Sequence, residues 1–437
     1  MKRLLRIVLA LLALWGGTVH AGGLLPPAAR EVVVADFLGV NTPFLFFTPE
    51  RYQKQIQALQ ALGLKWVRID LHWYYLESRE GRFDWEPVDR MMAAVKAAGL
   101  TPVVYLVGSA RFASTSPDGR HIDQWPPKDF DAFARRMVLL AQRYPFVRHW
   151  QIWNEPNIPS FWRPKADPQA YARLVAAVAR AFHAAGLGDR KLVLGGMAYY
   201  SQMPDHGNAL MLEALGNLGV FRLVDVVAYH PYTDTPEGDP FPGGEFVPRA
   251  RILDARLRSA GVRAVWATEF GWSTYTGPKT IQSHIDEPTQ GEYLIRRLAM
   301  SMSLGFDRIF WFALSDLDQR VPDRDRHYGL LYLDGRPKPS YRILRHFLDL
   351  LGPRLRPAPE RVPEEGDEGL YTATWRRDDG RLLWFAWSPQ GPRTVHLPVQ
   401  AARAVVHRPG RLSRREVAAE NGRLAVELGP WLTVVEL

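Results

Sequence analysis

Two glutamates of this chain each stand directly after an apolar run. Glu155 lies within the motif Trp-Asn-Glu-Pro, and Glu269 lies within Ala-Thr-Glu-Phe-Gly. The preceding runs, 149–153 and 264–267, are typical of buried parallel strands, so each carboxylate should emerge where a strand meets its following loop. Two carboxyl groups that face one cleft can cleave a glycosidic bond. One protonates the leaving oxygen, while the other attacks the anomeric carbon or activates water.

A structural explanation for these glutamates is the main alternative. A single glutamate at a strand end is most often a surface carboxylate, and the chain has 46 acidic residues. The tetrapeptide would, however, occur by chance in about one chain in a thousand of this length. Pro156 ends the strand, and Asn154 and Glu155 are costly to bury unless they have partners. The pair therefore favours a catalytic site.

The elements that must position this pair form a regular alternation. From residue 36 to residue 350, eight apolar strand-like runs alternate with eight amphipathic segments, and glycines such as Gly63 and Gly99 close the helices. This pattern predicts an α/β fold, a (β/α)8 TIM barrel over residues 36–350.

The last part of the chain has a different pattern. After a Pro-rich connection at 352–363, short alternating runs predict a small antiparallel β-sandwich-like domain over residues 353–437. The segment Arg377-Asp378-Asp379-Gly380 within it is typical of a hairpin turn. Residues 24–35, just ahead of the first barrel strand, are a candidate for completing the edge of this domain.

The amino terminus predicts export. Residues 1–21 resemble a secretory signal peptide, with a basic start, an apolar core at 7–15 and a small-x-small cleavage site at 19–21. The apolar core is too short to span a bilayer comfortably, which favours cleavage over an uncleaved inner-membrane anchor. We therefore expect a periplasmic or secreted protein with no stable membrane span once the signal is removed.

Charge and composition exclude several other classes of function. The formal net charge of +9 falls to +6 without the three basic residues of the signal, and the remaining arginines are scattered. A nucleic-acid binder would concentrate them in one stripe, so no nucleic-acid partner is expected. The chain has no cysteine, and its twelve histidines show no paired spacing at a strand end. We therefore expect no metal, and without a Gly-rich phosphate loop we expect no other cofactor.

Further polar and aromatic residues stand at the predicted strand ends, where active sites on this fold are built. They are candidates for binding the substrate. The set comprises Arg68 and Trp73 after the second strand, Tyr105 on the third, Asn154 on the fourth, His230 and Tyr232 on the sixth, Trp272 on the seventh and Trp311 on the eighth.

This arrangement resembles clan A of the glycoside hydrolases, in which Asn-Glu closes strand four and a second Glu closes strand seven. The motifs Trp-Asn-Glu-Pro-Asn and Ala-Thr-Glu-Phe-Gly-Trp-Ser are most similar to family 39, which includes β-xylosidase and α-L-iduronidase relatives. Within that family the chain is similar to bacterial glycosidases of exopolysaccharide operons. The resemblance spans residues 36–350.

The resemblance implies that Glu155 is the general acid/base and that Glu269 is the nucleophile of a retaining mechanism. Retention needs the two carboxyl groups about 5–5.5 Å apart. Glu155 must be protonated at working pH, which burial would favour, and Glu269 must stay ionised. Arg68 and Tyr232 are candidates for keeping Glu269 ionised, and Asn154 is a candidate for binding the sugar hydroxyl beside the anomeric carbon.

Two further side chains have open roles. His230 either orients one of the glutamates, as its Tyr-His-Pro-Tyr context in this clan implies, or is a structural histidine with satisfied hydrogen bonds. Trp311 is expected to form the floor of the sugar site, because a flat aromatic face matches the C–H face of a pyranose; an isolated strand tryptophan would otherwise fill the core.

The sequence thus predicts an exported retaining glycoside hydrolase that cleaves a polysaccharide, endo-acting on a bacterial exopolysaccharide. Aromatic residues in three long loops, 109–126, 158–164 and 198–205, favour an open groove. An exo-acting β-xylosidase-like glycosidase is the nearest alternative, and transglycosylation would use the same residues. A non-catalytic carbohydrate-binding or matrix-assembly protein on the same barrel is the other class. The expected partner is a polysaccharide or oligosaccharide substrate, and the protein is expected to be a monomer.

Overall fold

The structure is a computed structural model, and it describes residues 24–198, 211–278, 282–358 and 369–437. The predicted signal at residues 1–21 lies outside the described residues, as do positions 199–205 of the third aromatic loop. Within the described ranges, no helix is both long and apolar enough to cross a membrane.

Eight parallel strands close into a barrel, which confirms the predicted (β/α)8 fold. Each strand pairs with its sequence neighbours, and the eighth pairs with the first to complete the circle. A short strand, Met197–Ala198, extends the pairing with the sixth. The barrel strands are β1 (Leu38–Asn41), β2 (Trp66–His72), β3 (Thr101–Val107), β4 (His149–Ile152), β5 (Lys191–Leu194), β6 (Val226–His230), β7 (Ala264–Phe270) and β8 (Arg308–Trp311).

A helix follows each barrel strand and covers the outside of the sheet. Buried apolar residues recur along these helices, as expected for an amphipathic helix packed on one face. Asp129, Asp167 and Asp286 cap three of them by accepting a hydrogen bond from a first-turn backbone N–H. The eight helices that follow the barrel strands are α1 (Pro49–Ala61), α2 (Glu86–Ala97), α3 (Phe130–Arg143), α4 (Pro168–Ala184), α5 (Met211–Asn217), α6 (Phe246–Ser259), α7 (Glu287–Ser303) and α8 (Pro339–Leu351).

The alternation of side chains along β2 shows how the barrel carries polar groups to its mouth. Trp66 packs inside the barrel against Trp266 and Phe310. Because successive strand side chains point to opposite faces, Arg68 shares the inner face with Trp66 and lies one step nearer to the carboxyl end. Val67, the residue between them, belongs to the core under the helices. The strand ends therefore place charged groups above an apolar floor.

The carboxyl-terminal region forms an antiparallel β-domain. Its main sheet has seven strands, and a separate two-stranded sheet pairs Arg393–Pro398 with Arg423–Leu428. The segment Val32–Val33 pairs with the first of the domain's strands and forms the edge of the main sheet. The strands are β9 (Arg354–Pro357), β10 (Tyr371–Arg377), β11 (Leu382–Trp387), β12 (Arg393–Pro398), β13 (Arg403–Arg408), β14 (Ser413–Ala418), β15 (Arg423–Leu428) and β16 (Thr433–Glu436).

Strand β11 explains how this domain is attached. Phe385 and Trp387 belong to the large core that is shared with the barrel, whereas Trp384 and Ala386 pack in a second core against the two-stranded sheet. Both faces of β11 are therefore buried, which is why its sequence is a continuous apolar run rather than an alternating one. The β-domain is packed on the barrel and does not hang from a linker.

Two strands of this region were not predicted. The stretch 352–363 was predicted to connect the barrel to the β-domain, and β9 lies within it, held between Val32–Val33 and β10. Strand β14 was not predicted, because most of its side chains are exposed and polar and its only strand partner among the described residues is β13. An edge strand that buries little apolar surface leaves no hydrophobic pattern in the sequence.

Candidate active site

The end of β4 holds Glu155 in an unusual backbone conformation. Trp153 has φ +70° and Glu155 has φ +41°, the left-handed region that non-glycine residues seldom adopt. The Trp153 side chain is buried against Phe133 and Trp162, and the backbone N–H of Glu155 donates to the carbonyl of Gly196 at 3.0 Å. Strained backbone that is fixed by its surroundings is common at functional sites. Here it turns Glu155 toward the barrel axis.

Glu269 reaches the same place through a bulge in β7. The pairing of β7 with β8 shifts register between Ala267 and Phe270. Strict alternation would send Thr268 and Glu269 to opposite faces of the sheet, yet both contact His230. β-Bulges often re-aim a side chain beside an active site, and this one brings Glu269 into the barrel mouth.

The two carboxyl groups lie close together. One carboxylate oxygen of Glu155 and one of Glu269 lie within 4.8 Å of each other, and each glutamate is 7% exposed. This separation leaves no room for a water molecule to lie between the carboxyl group and the sugar on the attacking side, as an inverting enzyme requires. It matches the short separation of a retaining pair.

Arg68 is the charged centre beneath Glu269. Its Nη1 donates to Glu269 Oε1 at 2.5 Å and to Asn41 Oδ1 at 2.7 Å. Its Nη2 donates to Asn154 Oδ1 at 2.7 Å, and its Nε donates to Gln151 Oε1 at 2.9 Å. The guanidinium is buried, and four of its five N–H groups donate to fixed acceptors, which offsets the loss of their contacts with water. These hydrogen bonds fix the positively charged guanidinium of Arg68 beside the carboxylate of Glu269.

Two tyrosines complete the surroundings of Glu269. The hydroxyl of Tyr232 donates to Glu269 Oε2 at 3.1 Å. The ring of Tyr105 lies 4.1 Å from the guanidinium carbon of Arg68 and covers its face. A cation against an aromatic face is attractive and keeps the side chain in place. Both carboxylate oxygens of Glu269 thus accept a hydrogen bond from a fixed donor.

His230 lies beside Glu155. Its Nδ1 is 2.6 Å from Glu155 Oε1, and its Nε2 is 3.1 Å from the hydroxyl of Thr268. Burial lowers the pKa of His230 to about 3, and burial raises the pKa of Glu155 to about 8. At neutral pH the histidine is therefore uncharged and the glutamate is protonated. His230 orients Glu155 without supplying a charge that would ionise it.

Gly196 makes room for this histidine. A Cβ at position 196 would lie 2.0 Å from His230 Nε2 and 2.7 Å from the hydroxyl of Thr268. The same residue accepts the hydrogen bond from the backbone of Glu155. The absence of a side chain at Gly196 therefore lets His230 and Glu155 pack together.

The structure brings seven of the ten predicted site residues into one cluster: Glu155, Glu269, Arg68, Asn154, His230, Tyr232 and Tyr105. The three predicted tryptophans do not belong to it. Trp311 is 0% exposed between Phe270 and Trp272 and cannot offer a face to a sugar. Trp272 is 1% exposed and donates to the carbonyl of Thr233, and Trp73 is 0% exposed and donates to Glu77. All three are core residues.

Strand parity explains the correction at Trp311. Phe310 lies inside the barrel with Trp66, so its neighbours Ile309 and Trp311 point outward into the core under the helices. The next ring with the inner parity is Phe312, which is partly exposed and packs against Tyr328 at 5.5 Å. At the end of β8 the partly exposed aromatic residue is therefore Phe312 rather than Trp311.

Sequence reasoning also missed three polar members of the cluster. Asn41 at the end of β1 accepts from Arg68 and donates to the carbonyls of Thr268 and Trp311. Gln151 accepts from Arg68 and donates to the carbonyl of Trp153. Thr268 bonds to His230. A polar residue within a buried strand is the signal that would have found each of them, because such a residue needs a partner.

The same cluster offers the one group among the described residues that could hold a metal ion, formed by Glu155, His230 and Glu269. Arg68 already places a positive charge 2.5 Å from Glu269, and a second cation there would be repelled. His230 and Glu155 also share a hydrogen bond that a metal would have to break. The donor set therefore fits a pair of carboxylates that exchange protons with a substrate better than it fits a metal centre.

Comparison with known proteins gives likeness of fold. No protein-family model and no curated protein matches the chain. Among solved structures, a family 39 glycoside hydrolase of Bacteroides cellulosilyticus WH2 has a TM-score of 0.71 and 21% identity, over 91% of this chain and 80% of that one. A GH39 β-xylosidase of Caulobacter crescentus has a TM-score of 0.63 and 21% identity, over 94% and 98%. A GH30 endoxylanase of Clostridium papyrosolvens C71 has a TM-score of 0.59 and 14% identity, over 94% and 97%.

These similarities extend over the barrel and the β-domain together, because each covers more than nine-tenths of this chain. The two glutamate motifs resemble those of clan A, and those of family 39 most. The fold comparison agrees with this resemblance. The chain therefore has the (β/α)8 barrel with an appended antiparallel β-domain that these glycoside hydrolases share.

Proposed function

We propose that this protein is a retaining glycoside hydrolase with Glu269 as nucleophile and Glu155 as general acid/base. The observation that carries the proposal is the pair of carboxylates within 4.8 Å, one against a guanidinium and the other against a neutral histidine. Glycosidase catalysis needs two carboxyl groups in opposite protonation states. The resemblance of the fold to glycoside hydrolases supports the same chemistry.

The first half of the reaction follows from these environments. Glu269, whose carboxylate accepts hydrogen bonds from Arg68 and Tyr232, attacks the anomeric carbon and forms a glycosyl ester while the bond to the leaving oxygen breaks. Glu155 gives its proton to that oxygen, so the leaving group departs as an alcohol and Glu155 becomes a carboxylate. The leaving oxygen thus keeps the electron pair of the broken bond and receives the proton of Glu155.

The second half reverses these roles. Glu155, now ionised, takes a proton from water as the water oxygen attacks the anomeric carbon, and Glu269 leaves as a carboxylate. Two inversions give net retention. Asn154 has its Oδ1 fixed by Arg68, so its amide N–H groups are the donors for the sugar hydroxyl next to the anomeric carbon. Such bonds strengthen as the oxocarbenium-like state forms.

The substrate that we propose is a bacterial exopolysaccharide cut internally by an exported enzyme, periplasmic or secreted. The support is the signal-like pattern of residues 1–21, the aromatic residues of the long loops and the resemblance to glycosidases of exopolysaccharide operons. An exo-acting β-xylosidase is the second candidate, because similar solved structures include β-xylosidases of Caulobacter crescentus. An endoxylanase is also among the similar structures.

The test compares wild type with Glu269→Gln on a panel of bacterial exopolysaccharides, xylan and aryl β-xylosides, with sizing of the soluble products. Glu213→Gln, at an exposed position on α5, is the matched control. We expect oligosaccharides from wild type and the control, and a loss of at least about 10,000-fold in the nucleophile variant. Release of single sugars only would favour the exo-acting candidate.

The anomer that forms first separates mechanisms. Proton NMR during the first minutes should show a product with the configuration of the substrate. A product of opposite configuration would overturn the retaining mechanism. If wild type and Glu269→Gln are both inactive on the whole panel but bind one polymer equally well, the non-catalytic carbohydrate-binding function replaces the one proposed here.

A further inference from the structure

A basic pocket in the β-domain lies outside the catalytic cluster. Five segments of the chain surround it: the start of β12, the end of β13, the short 3-10 helix Pro409–Arg411, the end of β15 and the turn into β16. Its volume is about 510 Å³, within the range that small-molecule sites occupy. The cavity is therefore large enough for one or two sugar rings.

The charge of this pocket is positive. Arg393, Arg408 and Arg411 line it, and Glu427 is the acidic residue of the lining. Arg408 Nη2 donates to the carbonyl of Glu427 at 3.3 Å and lies 3.8 Å from its carboxylate. Among the residues that the structure describes, no carboxylate forms an ion pair with Arg411, whose side chain is exposed. Guanidinium groups that converge in a concave site attract carboxylate, sulfate or phosphate.

An aromatic face completes the pocket. Trp431 is partly exposed, and the guanidinium carbon of Arg411 lies 5.4 Å from the centre of its ring. The apolar face of an indole matches the C–H face of a sugar ring, and an adjacent guanidinium can bind a charged substituent of that ring. Cation and ring are thus placed as neighbours that can contact one ligand together.

The pocket is anchored to the barrel. Glu292 on α7 is buried, and its Oε1 accepts from the backbone N–H of Leu432, next to Trp431, at 2.5 Å. Gly410 allows this packing, because a Cβ there would lie 2.0 Å from Glu292 Oε2 and 2.8 Å from Trp431. The walls that carry Arg411 and Trp431 are therefore held by a barrel helix, and a site that is formed before the ligand arrives loses less entropy on binding.

We propose that this pocket is a second saccharide site that binds a carboxylated sugar residue of an acidic polysaccharide, with Arg393, Arg408 and Arg411 on the carboxylate and Trp431 on the ring. The choice of a saccharide rests on the proposed function of the barrel. A compact concave pocket with a single tryptophan fits a saccharide better than nucleic acid, which would need a longer basic stripe. The site would hold the enzyme on an acidic polymer while the barrel cuts it.

Binding and turnover are measured separately, so that failure of this site differs from failure of the proposed catalysis. The full chain in the Glu269→Gln form is titrated with oligomers of polygalacturonate, alginate and hyaluronate, with neutral xylan oligomers and with single-stranded DNA. The pocket variants are Arg411→Gln, Arg393→Gln with Arg408→Gln, and Trp431→Ala. Arg415→Gln is the matched control, because Arg415 is exposed on β14 and outside the pocket lining.

We expect at least one acidic saccharide to bind, at least tenfold tighter than xylan oligomers. Arg411→Gln and the double variant should weaken that binding at least fivefold, and Arg415→Gln should change it less than twofold. Cleavage of a short neutral substrate by the same variants on the wild-type background should stay unchanged. Arg411 is exposed, so its replacement leaves the core intact and keeps the test valid even if Trp431→Ala unfolds.

Three results would overturn the proposal. The first is no binding to any of the three acidic saccharides. The second is an equal loss in Arg415→Gln, which would indicate diffuse charge rather than a site. The third is DNA binding of equal strength that survives Trp431→Ala, which would indicate a general polyanion surface. A loss of catalysis with intact pocket binding would contradict the proposed function of the barrel and leave this site standing.

Discussion

Glu155 and Glu269 carry the same side chain and have the same exposure of 7%, but their surroundings differ. Glu269 accepts hydrogen bonds from Arg68 and Tyr232. Glu155 lies against His230, whose pKa burial lowers to about 3. One carboxyl group therefore faces a permanent positive charge, and the other faces an uncharged ring.

This difference in partners distinguishes the two proposed roles. A low dielectric disfavours the charged form of a carboxyl group, and burial raises the pKa of Glu155 to about 8. Glu269 is instead in direct contact with the guanidinium of Arg68. Two carboxylates whose environments push them toward opposite protonation states are the usual sign of an acid and a nucleophile.

The sharpest way to test this contrast is Glu155→Gln. Loss of a general acid costs about 100- to 10,000-fold in kcat for a substrate whose leaving group needs a proton. An aryl glycoside with an acidic phenol, such as dinitrophenol, needs none, so its glycosylation step should be nearly unchanged. The measurement is kcat/KM of wild type and variant on both kinds of substrate. Equal losses on both would contradict the assignment of Glu155 as the acid.

Arg68→Met breaks the other half of the comparison. Without the guanidinium, Glu269 is a buried charge with no cation beside it, so the free energy of unfolding should fall by about 3–5 kcal/mol. We expect kcat/KM to fall about 100- to 1,000-fold, because a preorganised charge in the site is lost. Thermal and denaturant unfolding, together with kinetics at a temperature where the variant is folded, measure both effects.

A matched exposed pair provides the control for Arg68. Arg403 and Glu416 form an ion pair at 3.3 Å with both side chains about 70% exposed. Arg403→Met should therefore cost less than about 1 kcal/mol and leave activity unchanged. If Arg68→Met lowers stability but leaves kcat/KM within tenfold of wild type, Arg68 serves the fold and not the nucleophile.

The pH dependence of activity tests the Glu155 side without changing the fold. A group with a raised pKa stays protonated up to that pKa, so the acid form of Glu155 is present below about pH 8 and is lost above it. We expect kcat/KM to fall about tenfold per pH unit above pH 8, and about 100-fold by pH 10. His230 is uncharged throughout this range. A descending limb that persists in Glu155→Gln would belong to another group.

The sequence predicted the barrel and the meeting of Glu155 and Glu269 at its mouth for physical reasons. Strands buried on both faces are apolar runs, and a carboxylate after such a run must lie at the strand's carboxyl end. This logic placed Glu155, Glu269 and Arg68 in one cluster, as the structure shows. To place each of these residues, only its neighbours along the chain are needed, and the sequence shows those neighbours directly.

The parts that sequence could not predict depend on contacts between distant strands. The bonds of Asn41 and Thr268 cross the barrel, and the bulge that aims Glu269 inward lies in the pairing of β7 with β8. Trp311 is the instructive error. Phe310 points into the barrel, and strand alternation therefore turns its neighbour Trp311 outward. To place Trp311 correctly, one must already know that Phe310 points inward. Aromatic character alone does not say which face a strand residue takes.

Gly196→Ala is the mildest change that should separate the two carboxylates. The new Cβ would meet His230 Nε2 at 2.0 Å, so the imidazole must move, and Glu155, which it orients, should move with it. The three atoms nearest to the new Cβ belong to His230 and Thr268, not to Arg68 or Glu269. Overpacking of this kind costs about 1–3 kcal/mol of stability. We expect kcat/KM to fall about tenfold on a substrate that needs protonation and by less on a dinitrophenyl glycoside.

The control for this change is Gly188→Ala, because a Cβ at position 188 meets nothing within 4 Å. It should leave stability and both rates unchanged. The comparison of leaving groups decides the result, since a merely destabilised fold would slow both substrates equally. An equal loss on both substrates in Gly196→Ala would mean that the glycine supports the barrel as a whole. A selective loss would mean that His230 acts on the reaction through its 2.6 Å contact with Glu155 rather than through its 3.6 Å contact with Glu269.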